Sequence, residues 1–253
     1  MDAIQEQYST PRNLDIRISI HEKYSVNRQP FGDWIMEHYE IAPGSRILEL
    51  GCGTGSMWKG RLDALENGSR LTLTDFSQGM LERAKQNTAG CGLVDYLVVD
   101  IQDIPYEAAS FDMVIANMML YHVPDLPRGL SEVRRVLRPG GKFYCATYGE
   151  HGIMEFVNDS LRELGIHGKI GRSFTLQNGA AVLGEFFEEV RRDIREDGLA
   201  VTRVEDFVDY VLSMPALTGV TDVGRDTLCQ AFWQRTIDGI LYVPKEYGMF
   251  ICK

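Results

Sequence analysis

Between residues 46 and 148 the chain alternates two hydrophobic periods, and that alternation constrains its fold more than any other feature. Short apolar runs bounded by turn residues have the length and pattern of strands: Arg46–Leu50 (RILEL), Leu71–Thr74 (LTLT), Tyr96–Val99 (YLVV), Asp112–Ala116 (DMVIA) and Lys142–Thr147 (KFYCAT). Helical patterns lie between them. Trp58, Leu62 and Leu65 fall at i, i+4 and i+7, and Met80 and Ala84 follow a capping serine, Ser77. Leu126, Leu130, Val133 and Leu137 keep one apolar face until Arg138-Pro139-Gly140-Gly141 stops it. Parallel strands need a crossover, and an intervening helix supplies it, so this order reads as an open α/β layer.

The flanks follow other patterns. Pro30 sits at a helix start, and Phe31, Trp34, Ile35 and His38 repeat at i, i+3, i+4 and i+7. After Tyr148 the alternation ends. The patterns there predict a helix over Gly179–Phe187, a strand over Glu188–Thr202, helices over Glu205–Met214 and Arg225–Ile240, and a closing strand over Tyr247–Cys252. A chain that closes on a strand returns to its sheet, so the late helices read as an insertion.

Composition narrows the function. The net charge of −10 argues against a uniformly basic nucleic-acid clamp. No stretch approaches the ~20 apolar residues of a membrane helix, and the polar N-terminus has no apolar signal core. Cys52, Cys91, Cys145, Cys229 and Cys252 are odd in number, widely spaced and without a C-x-x-C pair. That fits small packing residues in a reducing cytoplasm rather than a disulfide scaffold or a zinc site, and no metal is expected.

The segment richest in chemistry is Ile47–Gly55 (ILELGCGTG), where a strand runs into Gly51, Gly53 and Gly55 before a helical pattern. Glycines there permit positive φ and close approach of a ligand to backbone amides. A dinucleotide fingerprint needs its third glycine at position 56, which is Ser, and no nucleoside-triphosphate loop is present.

Glu49-Leu50-Gly51-Cys52-Gly53-Thr54-Gly55 resembles the first motif of class I S-adenosylmethionine-dependent methyltransferases. Further motifs follow in that family's order. They are Asp75 at the end of the second strand, Asp100-Ile101 after the third, Ser110–Val114 opening the fourth, Asn117–Asp125 in the manner N-x-x-L-x-H-x-x-D, and Arg135–Gly141 before the fifth. The branch resembled is that of small-molecule, type 11 enzymes. The resemblance implies a Rossmann-like, open, mostly parallel seven-stranded sheet with helices on both faces, plus a helical lid or insertion. It divides one structural domain into an N-terminal lid and helix (1–45), a cofactor-binding core (46–150) and a segment with the remaining strands and a helical substrate cap (151–253).

The resemblance also implies a cofactor, S-adenosylmethionine, with S-adenosylhomocysteine as product, and roles for single residues. Gly51, Gly53 and Gly55 line the cofactor, with Met80 beside them. Asp75 has two acceptor oxygens for the two ribose hydroxyls. Phe76 and Ile101 sandwich the adenine, and Asp100 accepts from its exocyclic amine. Glu49 supports the loop or the tail amine, and the backbone carbonyl of Asn117 meets the ammonium. For catalysis the candidates are His122 as general base, with Tyr121 second, and Tyr24 as a lid aromatic facing the sulfonium. Trp58 reads either as a pocket wall or as a core anchor. Phe207, Tyr210, Met214, Phe232 and Trp233 read either as an apolar acceptor pocket or as a packing stripe.

The function expected is methyl transfer to a small-molecule acceptor, with no nucleic-acid partner and no membrane, and an open oligomeric state. The alternatives are a nucleic-acid or protein methyltransferase, an NAD(P)-dependent oxidoreductase and a non-catalytic cofactor-binding module. Asn117-Met118-Met119-Leu120 stands where base-amine enzymes have N/D-P-P-Y/F, and Ser56 counts against the oxidoreductase.

Overall fold

The computed structural model describes residues 11–88, 92–168, 171–221 and 223–253. Seven strands form one sheet in the order β3-β2-β1-β4-β5-β7-β6. They are β1 (Arg46–Glu49), β2 (Arg70–Asp75), β3 (Val94–Val98), β4 (Phe111–Ile115), β5 (Leu137–Tyr148), β6 (Val190–Val201) and β7 (Leu241–Cys252). The four pairings from β3 to β5 are all parallel. At the other end Glu189 and Lys253 exchange both backbone bonds, at 3.2 and 3.0 Å, the pattern of an antiparallel pair. This is the mostly parallel seven-stranded sheet implied by the motifs.

The chain forms two compact units. The first holds Pro30–Tyr148, Arg172–Ile194 and Gly248–Lys253; the second holds the described residues of 11–29, 149–171 and 195–247. Strands β6 and β7 each contribute residues to both.

In the first unit the central strands are buried on both faces. Ile47, Met113, Ile115, Tyr144, Met249 and Ile251 point into one apolar cluster. Their neighbours Leu48, Val114, Phe143, Cys145, Phe250 and Cys252 point into another. This period of two, apolar on both sides, is the signature of parallel strands covered by helices. The covering helices are α2 (Phe31–His38), α3 (Gln78–Asn87), α4 (Leu126–Val136) and short α6 (Gly179–Leu183). The oxygens of Ser77 and Asp125 cap α3 and α4 by accepting from Met80 N at 3.4 Å and Arg128 N at 3.1 Å.

The second unit packs α1 (Pro11–Tyr24), α5 (Ile153–Leu161), α7 (Val204–Leu212), α8 (Pro215–Thr218) and α9 (Arg225–Trp233) with the remaining ends of β6 and β7. Its core gathers Ile20, Val157, Leu161, Leu199, Val204, Phe207, Val211, Leu228, Phe232 and Leu241. A buried ionic knot lies beside it. Asp197 accepts from Ser25 Oγ at 2.8 Å, Asn27 N at 3.1 Å and Gly198 N at 2.8 Å, and it also pairs with Arg195 and Lys245. Burial works against this carboxylate, but the Lys245, Asn27 and Ser25 bonds outweigh it and hold Asp197 well below the ordinary range. The knot ties residues 25–27 to β6, where Val26 N also donates to Gly198 O at 2.9 Å.

Several local expectations needed correction. The Trp58–Leu65 pattern is not an α-helix: turns at 56–60 lead to a single 3-10 turn, Leu62–Leu65. Gly60 sits at φ +74°, outside helical geometry. The last helix ends at Trp233 rather than Ile240. Asp238 (φ +50°) and Gly239 (φ +76°) make a tight turn, and Ile237 and Ile240 pair across it. That is Asp-Gly hairpin chemistry, and it leads into a β7 six residues longer at its start than the expected strand. The Gly179–Phe187 helix shortens to Gly179–Leu183, and Leu137 begins β5 rather than extending α4. Helices α1 and α5 were not anticipated. Among the described cysteines Cys52, Cys145 and Cys252 are buried, Cys229 is half-buried and all four are free; Cys91 lies outside the described residues.

Candidate cofactor and acceptor site

Strand order reverses between β1 and β4, whose neighbours run outward in opposite directions. A crevice opens at the carboxyl ends of strands at such a switch point, and open α/β sheets place ligands there. Glu49, the glycine loop, Asp75, Asn117 and Asp100 all lie at or just past the carboxyl ends of β1, β2, β4 and β3.

Gly51, Gly53 and Gly55 adopt φ of +66°, +55° and +66°, a region that suits glycine. A side chain at Gly51 would meet Met119 Cγ at 2.9 Å, and one at Gly55 would meet Ala84 Cβ at 3.0 Å. These two glycines pack the loop against its neighbours. Gly53 differs, because nothing lies within 4 Å of a built Cβ there. Its bareness keeps space open over the loop.

Asp75 braces that loop. One carboxylate oxygen accepts from Gly53 N at 2.9 Å and the other from Ser77 N at 2.8 Å. Each oxygen keeps a further acceptor site for a hydroxyl. Burial raises its pKa, and the Ser77 and Gly53 amides oppose the shift. The neighbouring Phe76 ring is 54% exposed, ready to cover a flat ligand. Met80 is half-buried in the first turn of α3.

Glu49 is 2% exposed and has a partner that the sequence did not reveal. Trp58 Nε1 donates to its Oε2 at 2.5 Å, and Trp58 itself is fully buried. Burial lifts the Glu49 pKa to about 7, with the indole bond opposing and Asp75 adding to the rise. The residue is a buried carboxyl group lacking a cationic neighbour among the described residues, suited to receive one. Trp58 is therefore a core anchor whose polar edge orients the acid. Burial raises the pKa of the Cys52 thiol, so it is no nucleophile.

Asp100 accepts from Gln102 N at 2.9 Å and Gln102 Nε2 at 3.0 Å, which sets its side chain after β3. Ile101 is 5% exposed and lies against Gly129 and within the core cluster that includes Val123. At the end of β4 the Asn117 side chain bridges neighbours: Nδ2 donates to Tyr39 Oη at 2.6 Å and Oδ1 accepts from Ala146 N at 3.1 Å. Tyr39 went unnoticed in the sequence, since no motif surrounds it. The next residue, Met118, holds φ +55°, an uncommon conformation for a non-glycine residue, and so turns the chain sharply toward the 3-10 turn Leu120–His122.

His122 lies in that turn, half-buried, with burial lowering its pKa. It is thus a neutral base near pH 7. Tyr121 packs on it with ring centroids 4.5 Å apart, and Tyr148 packs on Tyr121 at 4.6 Å. Tyr24 belongs to the second unit, where its hydroxyl donates to Asp206 Oδ2 at 2.8 Å. Phe207, Tyr210, Met214 and Phe232 are buried in that unit's core, and Trp233 is 44% exposed. The late aromatic positions are mainly a packing stripe. No trio of His, Cys, Asp or Glu able to hold a metal occurs among the described residues.

Residues 48–145 match the model of a methyltransferase domain family. This stretch is a methyltransferase domain. The chain is 35% identical over 116 residues to malonyl-[acyl-carrier protein] O-methyltransferase of Serratia marcescens, covering 45% of this chain and 42% of that protein. It therefore spans under half the length of that curated relative. It is 29% identical over 190 residues to demethylmenaquinone methyltransferase of Staphylococcus aureus, covering 71% of this chain and 78% of the other. The fold resembles that of Haemonchus contortus phosphoethanolamine N-methyltransferase 2, solved with S-adenosyl-L-methionine: TM-score 0.60, 19% identity, covering 99% of this chain and 59% of that one. The methyltransferase domain thus contains every cofactor residue expected from the sequence, from Glu49 to Asn117.

Proposed function

We propose that the chain transfers a methyl group from S-adenosylmethionine to a small-molecule acceptor. The observation that carries this reading is the switch-point constellation: an open glycine at position 53, the Asp75 carboxylate bonded to its amide, and Glu49 buried with no cation beside it among the described residues. The residues fit the cofactor. Asp75 takes the ribose hydroxyls, Phe76 and Ile101 flank the adenine, Asp100 receives its amine, and Met80 closes the side of the pocket. Glu49 and the Asn117 carbonyl receive the positive tail, around the cradle of Gly51, Gly53 and Gly55.

When bound, the cofactor supplies a methyl group activated on sulfonium. The chain aligns an acceptor in line with that methyl and excludes water, and such alignment contributes several kcal/mol to lowering the barrier. His122 takes the acceptor proton at a ring nitrogen where the acceptor arrives protonated. The relatives' named acceptors, a malonyl group on a carrier protein and demethylmenaquinone, support a small acceptor group rather than a nucleic acid. The charge of −10 agrees with that, and the described chain has no helix long and apolar enough to cross a membrane. We place the activity in the cytoplasm.

The test incubates the protein with donor labelled in its methyl group and a fractionated cell extract. Label should appear in a low-molecular-weight product, and none should form with His122→Asn. Label in nucleic acid, or tight donor binding with no acceptor in any fraction, would overturn the reading.

A further inference from the structure

His122 has nothing conventional to orient it. No hydrogen bond reaches its ring nitrogens among the described residues, and no ion pair holds it. A base works only when its lone pair is aimed, so something else must set the imidazole. The two contacts at that ring's side form a ladder of three rings: His122 and Tyr121 at 4.5 Å with planes tilted 58°, then Tyr121 and Tyr148 at 4.6 Å tilted 52°. Backbone bonds hold the segments that carry both tyrosines. Ser173 Oγ donates to the Tyr121 carbonyl at 3.0 Å, and Tyr148 sits at the end of β5, where its carbonyl accepts from Leu176 N at 3.1 Å. Tyr121 also packs against the core cluster below.

We propose that Tyr121 is a positioning residue for the proposed methyl transfer: its ring, braced by Tyr148, holds His122 in its working orientation and shields it from water. This rests on the reading of His122 as the base. It assigns the stretch Leu120–His122 two separate duties, one ring to react and one to aim it.

The chemistry around the imidazole is consistent. Burial is the only cause of its lowered pKa, and no carboxylate or ammonium contributes. The ring packed on it is the Tyr121 phenol, and burial raises the pKa of Tyr148, the next ring along. Neither tyrosine is among the causes of its lowered pKa, so the ladder acts by desolvation and shape. Removing the Tyr121 ring admits water, which favours imidazolium. The pKa of His122 should then rise toward about 6.5. The contacts on both sides are made by the rings and not by the phenol oxygen, so Phe should hold the His122 midpoint where Tyr does.

The experiment compares Tyr121→Phe, Tyr121→Leu and Tyr148→Leu in the full chain. His122 is titrated directly by nuclear magnetic resonance, its signal assigned by its absence in His122→Asn. In Tyr121→Leu the midpoint should move up. The acid limb of the kcat profile should move with it, and kcat should fall on the order of tenfold, a fraction of what losing a base costs. Donor affinity should not change. Tyr121→Phe keeps the ring and should leave the His122 midpoint where the original has it. An unshifted His122 midpoint in a folded Tyr121→Leu overturns the proposal, as does a shift in Tyr121→Phe equal to that in Tyr121→Leu. Should Tyr121→Leu not fold, Tyr148→Leu decides, with a smaller upward shift expected and none counting against. Full turnover in His122→Asn would instead sink the base assignment, while the titration still reports whether the ladder shields the ring.

Discussion

Glu49 is the residue whose state should change most on binding. Burial lifts its pKa to about 7, so both the acid and the carboxylate are populated near neutral pH. A cationic ligand tail favours the carboxylate, so binding the donor should release a fraction of a proton near pH 7. Calorimetry in buffers of different ionisation enthalpy should show that release, and Glu49→Gln should abolish it. Asp75 has two tasks, bracing Gly53 and receiving hydroxyls. Asp75→Ala should lose about 1.5–3 kcal/mol of donor affinity, the scale of charge-assisted bonds; titration at fixed pH checks it. His21 offers a third residue-scale test. Burial first, then the charges of Lys245 and Arg195, push its pKa down to about 3 against the pull of Asp197. The folded pKa lies below the unfolded one, so the unfolded chain binds the extra proton and stability falls as pH drops below about 6.5. Relative to His21→Phe, the original protein should lose about 1.4 kcal/mol per pH unit between roughly 6.5 and 4.5 in urea titrations.

The glycine loop is the element on which site and fold meet, and its three glycines should respond differently. Gly55→Ala adds a Cβ 3.0 Å from Ala84 in a left-handed backbone. It should cost about 2 kcal/mol or more in melting experiments. Gly44→Ala, also left-handed (φ +75°) but facing open space, should cost about 1 kcal/mol. Gly53→Ala shares that open space, so its stability loss should match the Gly44 control. Its donor affinity should drop further, because the new methyl occupies the ligand's room. Equal affinity in Gly53→Ala and the Gly44 control would move the cofactor off the loop. The strands were readable at this scale because central strands buried on both faces are continuous apolar runs. The pattern through Trp58 misled because left-handed Gly60 ends the helical geometry its spacing suggested. Helix α1 was hidden by its polar composition, and its apolar residues Ile16 and Ile20 pack into the second unit's core.

At the scale of the whole molecule, the cofactor candidates and His122 lie in the first unit and Tyr24 in the second. Hydrogen exchange can follow each separately. Adding the donor should slow exchange at residues 51–55 and 75–80; slowing at 21–29 as well would support the lid role of Tyr24, and its absence would remove it. Local motifs determined much here. The parallel core, the glycine loop, the acids at strand ends and the methyltransferase domain were all readable in sequence, because each is a contiguous pattern whose chemistry needs only its neighbours. Tertiary structure alone decided which groups meet across the chain. It set Trp58 against Glu49, Tyr39 against Asn117, Tyr148 against Tyr121, and Asp197 amid Ser25, Arg195 and Lys245. A side chain's charge state and aim depend on what burial removes and what distant strands bring near, and neither quantity is encoded in local spacing.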